Sequence, residues 1–294
     1  MSKNRIVLQS SLSAMNNKIK KPHFVPAAYL QYWDINGNPN GRDSSIYWTD
    51  GKKCNQQSVK KVAVQCGLYS KKDPNKAEDY FNEFEGDWSK LVRQLNKGKP
   101  PRSEILASLL LLQSSYFLLR NPNFDNKSSE ERVHVYKEAA EGYWREVLMG
   151  GESKKEHEAI KHMLKLWDCH LLIAQEEPWI TSDNPVVLLS YNGITPAVIF
   201  LPITPVYALI AIKNDALQLT NEKITAEDTS HLNSYSVINS IRHVYSNKEF
   251  KLDEVESISK WLERRPETEN WINLEQMHIE PYIYPVLGME LGFL

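Results

Sequence analysis

Two short segments carry residues whose types could do chemistry. The first is His23-Phe24-Val25-Pro26-Ala27-Ala28-Tyr29-Leu30. The second is Trp179-Ile180-Thr181-Ser182-Asp183-Asn184-Pro185-Val186, followed by Leu201-Pro202-Ile203-Thr204-Pro205. A histidine titrates near neutrality, so His23 could serve as a general base or a metal ligand. Pro26, which follows, restricts the backbone and could hold His23 in a cleft. The same ring could equally bond a backbone group and anchor the N-terminal segment. Asp183 could orient His23 or hold a divalent metal. Its structural alternative is an Asx-turn, in which the carboxylate accepts neighbouring backbone N–H groups and Pro185 fixes the turn. Asn184 and Asn233 could hold a substrate or satisfy buried backbone groups. Glu85 adjoins an apolar helix face at Phe84 and Trp88, a setting that raises a carboxyl pKa if the group is half-buried; the favoured alternative is a solvated position.

Other constellations are excluded by missing partners. Gly37 to Arg42 (GNPNGR) lacks the Gly-Lys-Ser/Thr ending of a phosphate loop. His157-Glu158 starts like a zinc-protease helix, but Lys161 stands where the second imidazole is needed. There is no Gly-x-Ser-x-Gly elbow, no kinase signature and no Gly-x-Gly-x-x-Gly after a strand. Cys169-His170 are neighbours, but on a helix they would point about 100° apart and form no nucleophile pair. Lys52, Lys53, Lys60, Lys61, Lys71 and Lys72 could track phosphates, or form a solvated surface.

These residues must be positioned by a sizeable core. The 294 residues are 41% hydrophobic and 24% charged, with net charge −2, which suits a globular protein and not a disordered one. No whole-protein basic field exists, although the first 33 residues hold Lys3, Arg5, Lys18, Lys20 and Lys21 and no acid. Cys54, Cys66 and Cys169 form no C-x-x-C, so free thiols are expected rather than a disulfide framework. No apolar run is long enough to span a membrane. A cytoplasmic protein without membrane contact is the expectation.

Ser45 to Thr49, then Asp50-Gly51, reads as a strand ending in a turn. Phe81, Phe84, Trp88, Leu91, Val92 and Leu95 make one helical face, and Pro100-Pro101 ends it. Ser103 is placed to cap a buried helix from Ile105 to Leu119. Ser128 and Glu131 suggest a capping box for a helix that Gly150-Gly151 ends. Ile160, Met163, Leu164, Trp167 and Leu171 predict another helix. Short β-branched runs follow: 179–181, 186–190, 197–201 and 206–212, with Asn192-Gly193 as a hairpin turn. A helix over 225–239, a strand near His243, a helix over 253–264 and an apolar tail complete the chain. The expected fold is α+β, a helical block packed on a mainly antiparallel sheet. The expected domains are a basic tail at 1–21, one domain at 22–250, and a C-terminal helix and tail at 251–294.

The paired motifs resemble those of domain-of-unknown-function family four-two-three-eight, from about Pro22 to Asn247. That pattern opens with His, aromatic, Val, Pro and Tyr-Leu, then returns with Ser/Thr-Asp-Asn-Pro-Val and Pro-x-x-Pro. Tyr69, Glu85 and Asn233 also fall where the pattern places such residues, and Trp33 stands where phenylalanine is more usual. The resemblance implies a site built from His23, Asp183 and Glu85, with Tyr29, Asn184 and Asn233 as substrate contacts. It implies positions and an architecture, not a reaction. The paired motifs beside a lysine-rich segment lead to one expectation, a hydrolase acting on nucleic acid or a nucleotide, with His23 as base and Asp183 as orienter or metal ligand. By analogy such a protein could be a phage-defence effector. The alternative is a binding module using an aromatic pocket, or a protein partner held by the tail at 281–294.

Overall fold

The computed structural model describes residues 22–65, 85–86, 88–121, 167–190, 196–213, 218–219, 224–263, 272–273 and 289–290. Tyr69, Asn192-Gly193, the capping box at Ser128 and most of the tail lie outside them, as do residues 160–166.

The strand expected at Ser45–Thr49 is present as β1, and its hairpin partner β2 is Cys54–Ser58. The turn between them is built by two residues. The Asp50 carboxylate accepts from the N–H groups of Lys52 and Lys53 at 3.0 and 3.1 Å. Gly51 adopts φ +78°, open to glycine at no steric cost.

The helical block begins with one turn, α1 (Ala27–Leu30). Helical residues 88–96 (α2) bury Trp88, Leu91, Val92 and Leu95, as their spacing predicts. Next comes α3 (Ser103–Arg120), which buries Leu106, Leu109, Leu110 and Phe117. The helix starts at Ser103 itself. The Arg102 carbonyl accepts from Ile105 and Leu106, so Arg102, not Ser103, takes the cap position.

The main sheet uses β3 (Trp167–Ile173), β5 (Val187–Ser190), β6 (Pro196–Pro202), β7 (Tyr207–Lys213) and β10 (Ile272–Asn273). Its order is β10-β5-β6-β7-β3, antiparallel except for β10 on β5. Leu188, Ile199, Leu209 and Ala211 face one core with α3, while Val187, Leu189, Phe200 and Ile210 face a second. Burial on both faces explains why these strands read as continuous apolar runs. The second core is closed by Leu232, Tyr235 and Ile238 of α4 (Ala226–Ile238). Thr225 and Asp228 cap that helix reciprocally, at 3.2 and 2.6 Å.

A smaller sheet runs β2-β1-β9-β4, where β4 is Thr181–Ser182 and β9 is Val244–Ser246. The helix expected at 253–264 is α5 (Leu252–Leu262), packed on α4. Gly51 sits against it: a Cβ there would come within 3.0 Å of Ser259 and Leu262. Met289–Glu290 (β11) pairs with Gln218–Leu219 (β8).

One expected element is corrected. Trp167 and Leu171 belong to β3, not to a helix. Residues four apart also satisfy a period of two, and Trp167, Cys169 and Leu171 alternate onto the first core while β7 supplies the ladder. Cys169 and His170 therefore point to opposite faces of a strand. Burial pushes the Cys169 thiol up to about 12. The α+β reading stands, with helices on both faces of the main sheet.

Candidate functional site

The N-terminal motif is tied down along its backbone. His23 bridges antiparallel to Val64, the Phe24 N–H donates to the Ala63 carbonyl, and the Gln65 N–H donates to the Pro22 carbonyl. The buried His23 ring lies with Nε2 3.2 Å from the Val59 carbonyl. Burial pulls its pKa down to about 4; the bond to Val59 opposes this, and Arg42 and Arg120 reinforce it. The buried Arg120 guanidinium donates to the His23 carbonyl and lies 3.5 Å from the Glu85 carboxylate. Arg120 thus links two predicted site residues.

Tyr29 is fully buried among Trp33, Trp88 and Phe117, with ring centroids 4.8–5.4 Å away. Its hydroxyl donates to the Pro202 carbonyl and accepts from Thr181, both at 2.8 Å. Through it the first motif meets both halves of the second. Replacing Tyr29 by Phe leaves those partners unsatisfied and should cost about 1–2 kcal/mol in urea unfolding.

The second motif is held by four side chains that bond backbone groups. Asp183 accepts from the backbone N–H groups of Ile241, Arg242 and His243 at 2.6, 2.9 and 3.1 Å. This is turn chemistry across 58–60 residues rather than within its own turn. Asn184 donates to the Asn239 carbonyl at 3.0 Å, and Asn239 donates back to the Asn184 carbonyl at 2.7 Å. Asn233 donates to the Pro178 carbonyl and accepts from the Ile180 N–H, both at 3.0 Å.

A cleft of about 680 Å³ opens over the smaller sheet, bordered by Phe24, Trp48, Lys61, Asp183, Arg242 and His243 among others. Trp48 of β1 stands opposite Tyr245 of β9. The His243 ring packs edge-on against Trp48 at 4.8 Å, and its Nδ1 lies 3.9 Å from Asp183. Burial lowers the His243 pKa; Asp50 opposes the shift, and Arg242 and Lys53 add to it. The ring is therefore neutral at pH 7. The Lys53 ammonium lies 5.4 Å from the Trp48 ring centre, and Lys61 and Arg242 are exposed. The Trp48 indole N–H is buried and has no acceptor among the described residues. Ala63, on the cleft wall, holds φ +50°, a left-handed conformation that costs a non-glycine residue energy.

The predicted site residues therefore distribute over the molecule. Asp183 borders this cleft, and His23 directly precedes Phe24 on its wall. Tyr29 and Glu85 border a small cavity with Trp88, Gln113 and Phe117. Asn233 borders a separate cleft of about 490 Å³ that also holds Phe250 and Trp261. Among the described residues, no group of three or more His, Cys, Asp and Glu converges as a metal centre would require. Sequence reasoning missed His243, Trp48 and Arg242 as cleft residues. Lys53 and Lys61 were visible as members of a basic cluster. No helix of the described residues is long and apolar enough to cross a membrane.

Comparison with characterised proteins and with solved structures matched none of them. The family description "Protein of unknown function (DUF4238)" matches residues 21–250, the segment that contains both motifs and the cleft. The chain belongs to that family.

Proposed function

We propose that the protein is a binding module for a phosphate-bearing ligand with a planar ring, a nucleotide or nucleic acid, seated in the cleft beside Trp48. The observation that carries this reading is the union of Trp48 with Lys61 and Arg242 around one opening, with the Lys53 ammonium 5.4 Å from the Trp48 ring centre. Cations there match phosphate, and an aromatic face takes a base. Thermal shift and tryptophan quenching with mono- and dinucleotides and short RNA and DNA test it. Binding should weaken roughly tenfold in Lys61→Ala and again in Arg242→Ala, since a hydrogen bond to a charged group contributes about 1.5–3 kcal/mol. No shift or quenching with any of these ligands would refute it.

A second reading, hydrolysis of the bound ligand, is favoured by one observation. A histidine that is neutral at pH 7 lies beside Asp183 in the same cleft, and it is His243. Neutral imidazole can take a proton from water, and nearby cations would stabilise charge developing on phosphate. In this reading His243 takes the role that the motif pattern suggested for His23. Release of phosphate or cleavage of a phosphodiester, lost in a folded His243→Gln protein that still binds, would establish it.

A further inference from the structure

Resting on the cleft-binding reading, we infer that the ligand carries a terminal phosphate, a monoester with two negative charges, and that His243 takes up a proton to become the third cation on it. The inference comes from how the charges around the cleft are committed. Lys61 and Arg242 line the opening and are exposed. Asp183 lines it too, but its side chain is only 1% exposed and accepts from the N–H groups of Ile241, Arg242 and His243. The carboxylate that would repel an anion is thus engaged by backbone donors. The His243 ring stands among these groups, with its side chain 36% exposed. Its Nδ1 end faces Asp183 at 3.9 Å, which leaves Nε2 for a ligand.

The charge count selects the ligand. Two fixed cations match the two charges of a phosphate monoester, whereas the phosphodiester within a strand carries one. In the free protein burial keeps the His243 ring neutral, and Arg242 and Lys53 also disfavour its charge. Asp50, on the hairpin turn, favours that charge. Tyr245, 6.4 Å away ring to ring, is a phenol that burial keeps neutral, and Trp48 presents only its ring. A phosphate seated on Lys61 and Arg242 offsets the cations and brings two negative charges to the ring. The imidazolium then has a carboxylate at one end and a phosphate at the other, and both favour its charge. A His243 that is charged in the complex binds phosphate and cannot take a proton from water, which favours binding over hydrolysis.

Isothermal titration calorimetry of the full chain near neutral pH, in two buffers of different ionisation heat, counts the protons taken up per ligand. The probes are a nucleoside 5′-monophosphate, its methyl ester, which has one charge less, and a short oligonucleotide with and without a 5′-phosphate. The monophosphate should bind about tenfold more tightly than its methyl ester, through one further charge-assisted hydrogen bond, and should take up about one proton. Its log affinity should rise by up to about one unit per pH unit as pH falls from about 8 to about 6.5. The phosphate itself, with a second pKa near 6, stays mainly dianionic over that range. In His243→Gln, checked for an unchanged melting temperature, the uptake should vanish and the preference for the monophosphate should narrow. The comparison of the two esters in the unaltered protein stands without the variant. Tightest binding of the 5′-phosphorylated oligonucleotide would mark a strand end as the source of the phosphate, and tightest binding of the monophosphate a free nucleotide; either supports the monoester. Equal affinity for monophosphate and methyl ester, or no proton uptake with the monophosphate, would overturn the inference and leave the cleft reading intact. Uptake that persists in His243→Gln would overturn the assignment to His243. Failure of every probe to bind would instead overturn the cleft reading.

Discussion

An Asp183→Asn protein should lose on the order of 3–4 kcal/mol of stability, because one carboxylate serves three backbone donors and an amide cannot. The N–H groups of Ile241, Arg242 and His243 all point at Asp183. An asparagine offers one acceptor oxygen, and its own N–H₂ would meet donors on the other side. At least one part-buried amide would lose its acceptor, and the charge-assisted strength of the others would go. Urea unfolding followed by tryptophan fluorescence measures the loss directly. The same substitution should release the segment that carries Arg242 and His243, so ligand affinity should fall with stability. A loss below about 1 kcal/mol would mean that Asp183 does not hold that segment, and a purely chemical role would regain ground.

Acid should destabilise the protein through His23 before its carboxylates are all protonated. The folded pKa of His23 is about 4, against an ordinary value of 6.5. Between those values the unfolded chain binds the proton and the folded chain does not, so stability falls as pH falls. The contribution is fully present above pH 6.5 and is lost towards pH 4, and 2.5 units correspond to roughly 3 kcal/mol. His243, shifted in the same direction, adds to the trend. Unfolding free energies at pH 7 and pH 4 for wild type and His23→Gln isolate the effect. The variant should start lower at pH 7, because a tight site is disturbed. Its further loss towards pH 4 should be smaller by most of that 3 kcal/mol. An equal loss in both proteins would show that His23 is protonated without cost in the folded state.

Local signals revealed most elements and little of the cleft. The apolar runs at 186–190, 197–201 and 206–212 became β5, β6 and β7 because strands buried on both faces need side chains of one kind. Asp50-Gly51 made its turn because the residues that build it are neighbours. Trp167 to Leu171 misled because a spacing of four fits both periods, and only the ladder with β7 decides between them. The motif residues were legible as special, but their partners lie far along the chain: Asp183 with 241–243, Asn184 with Asn239, Tyr29 with Pro202. Sequence alone gives no sign of which backbone groups a buried side chain will meet. The cleft joins Trp48, Lys61 and His243 because β1 and β9 become neighbours in the smaller sheet, and that pairing is a property of the fold.

The contact of Gly51 with α5 bears on the thermodynamics of recognition. Backbone passes so close to the helix at Ser259 that no side chain fits between them. The hairpin carrying Trp48 and Lys53 is therefore braced from behind by a helix that lies past the matched family segment. A ligand meeting that lip finds it already in place, and little conformational entropy is lost there on association. Affinity at the hairpin should then be governed by desolvation and charge, with a small entropic cost of ordering, and the strongest influence on it from a distance would be whatever shifts α5.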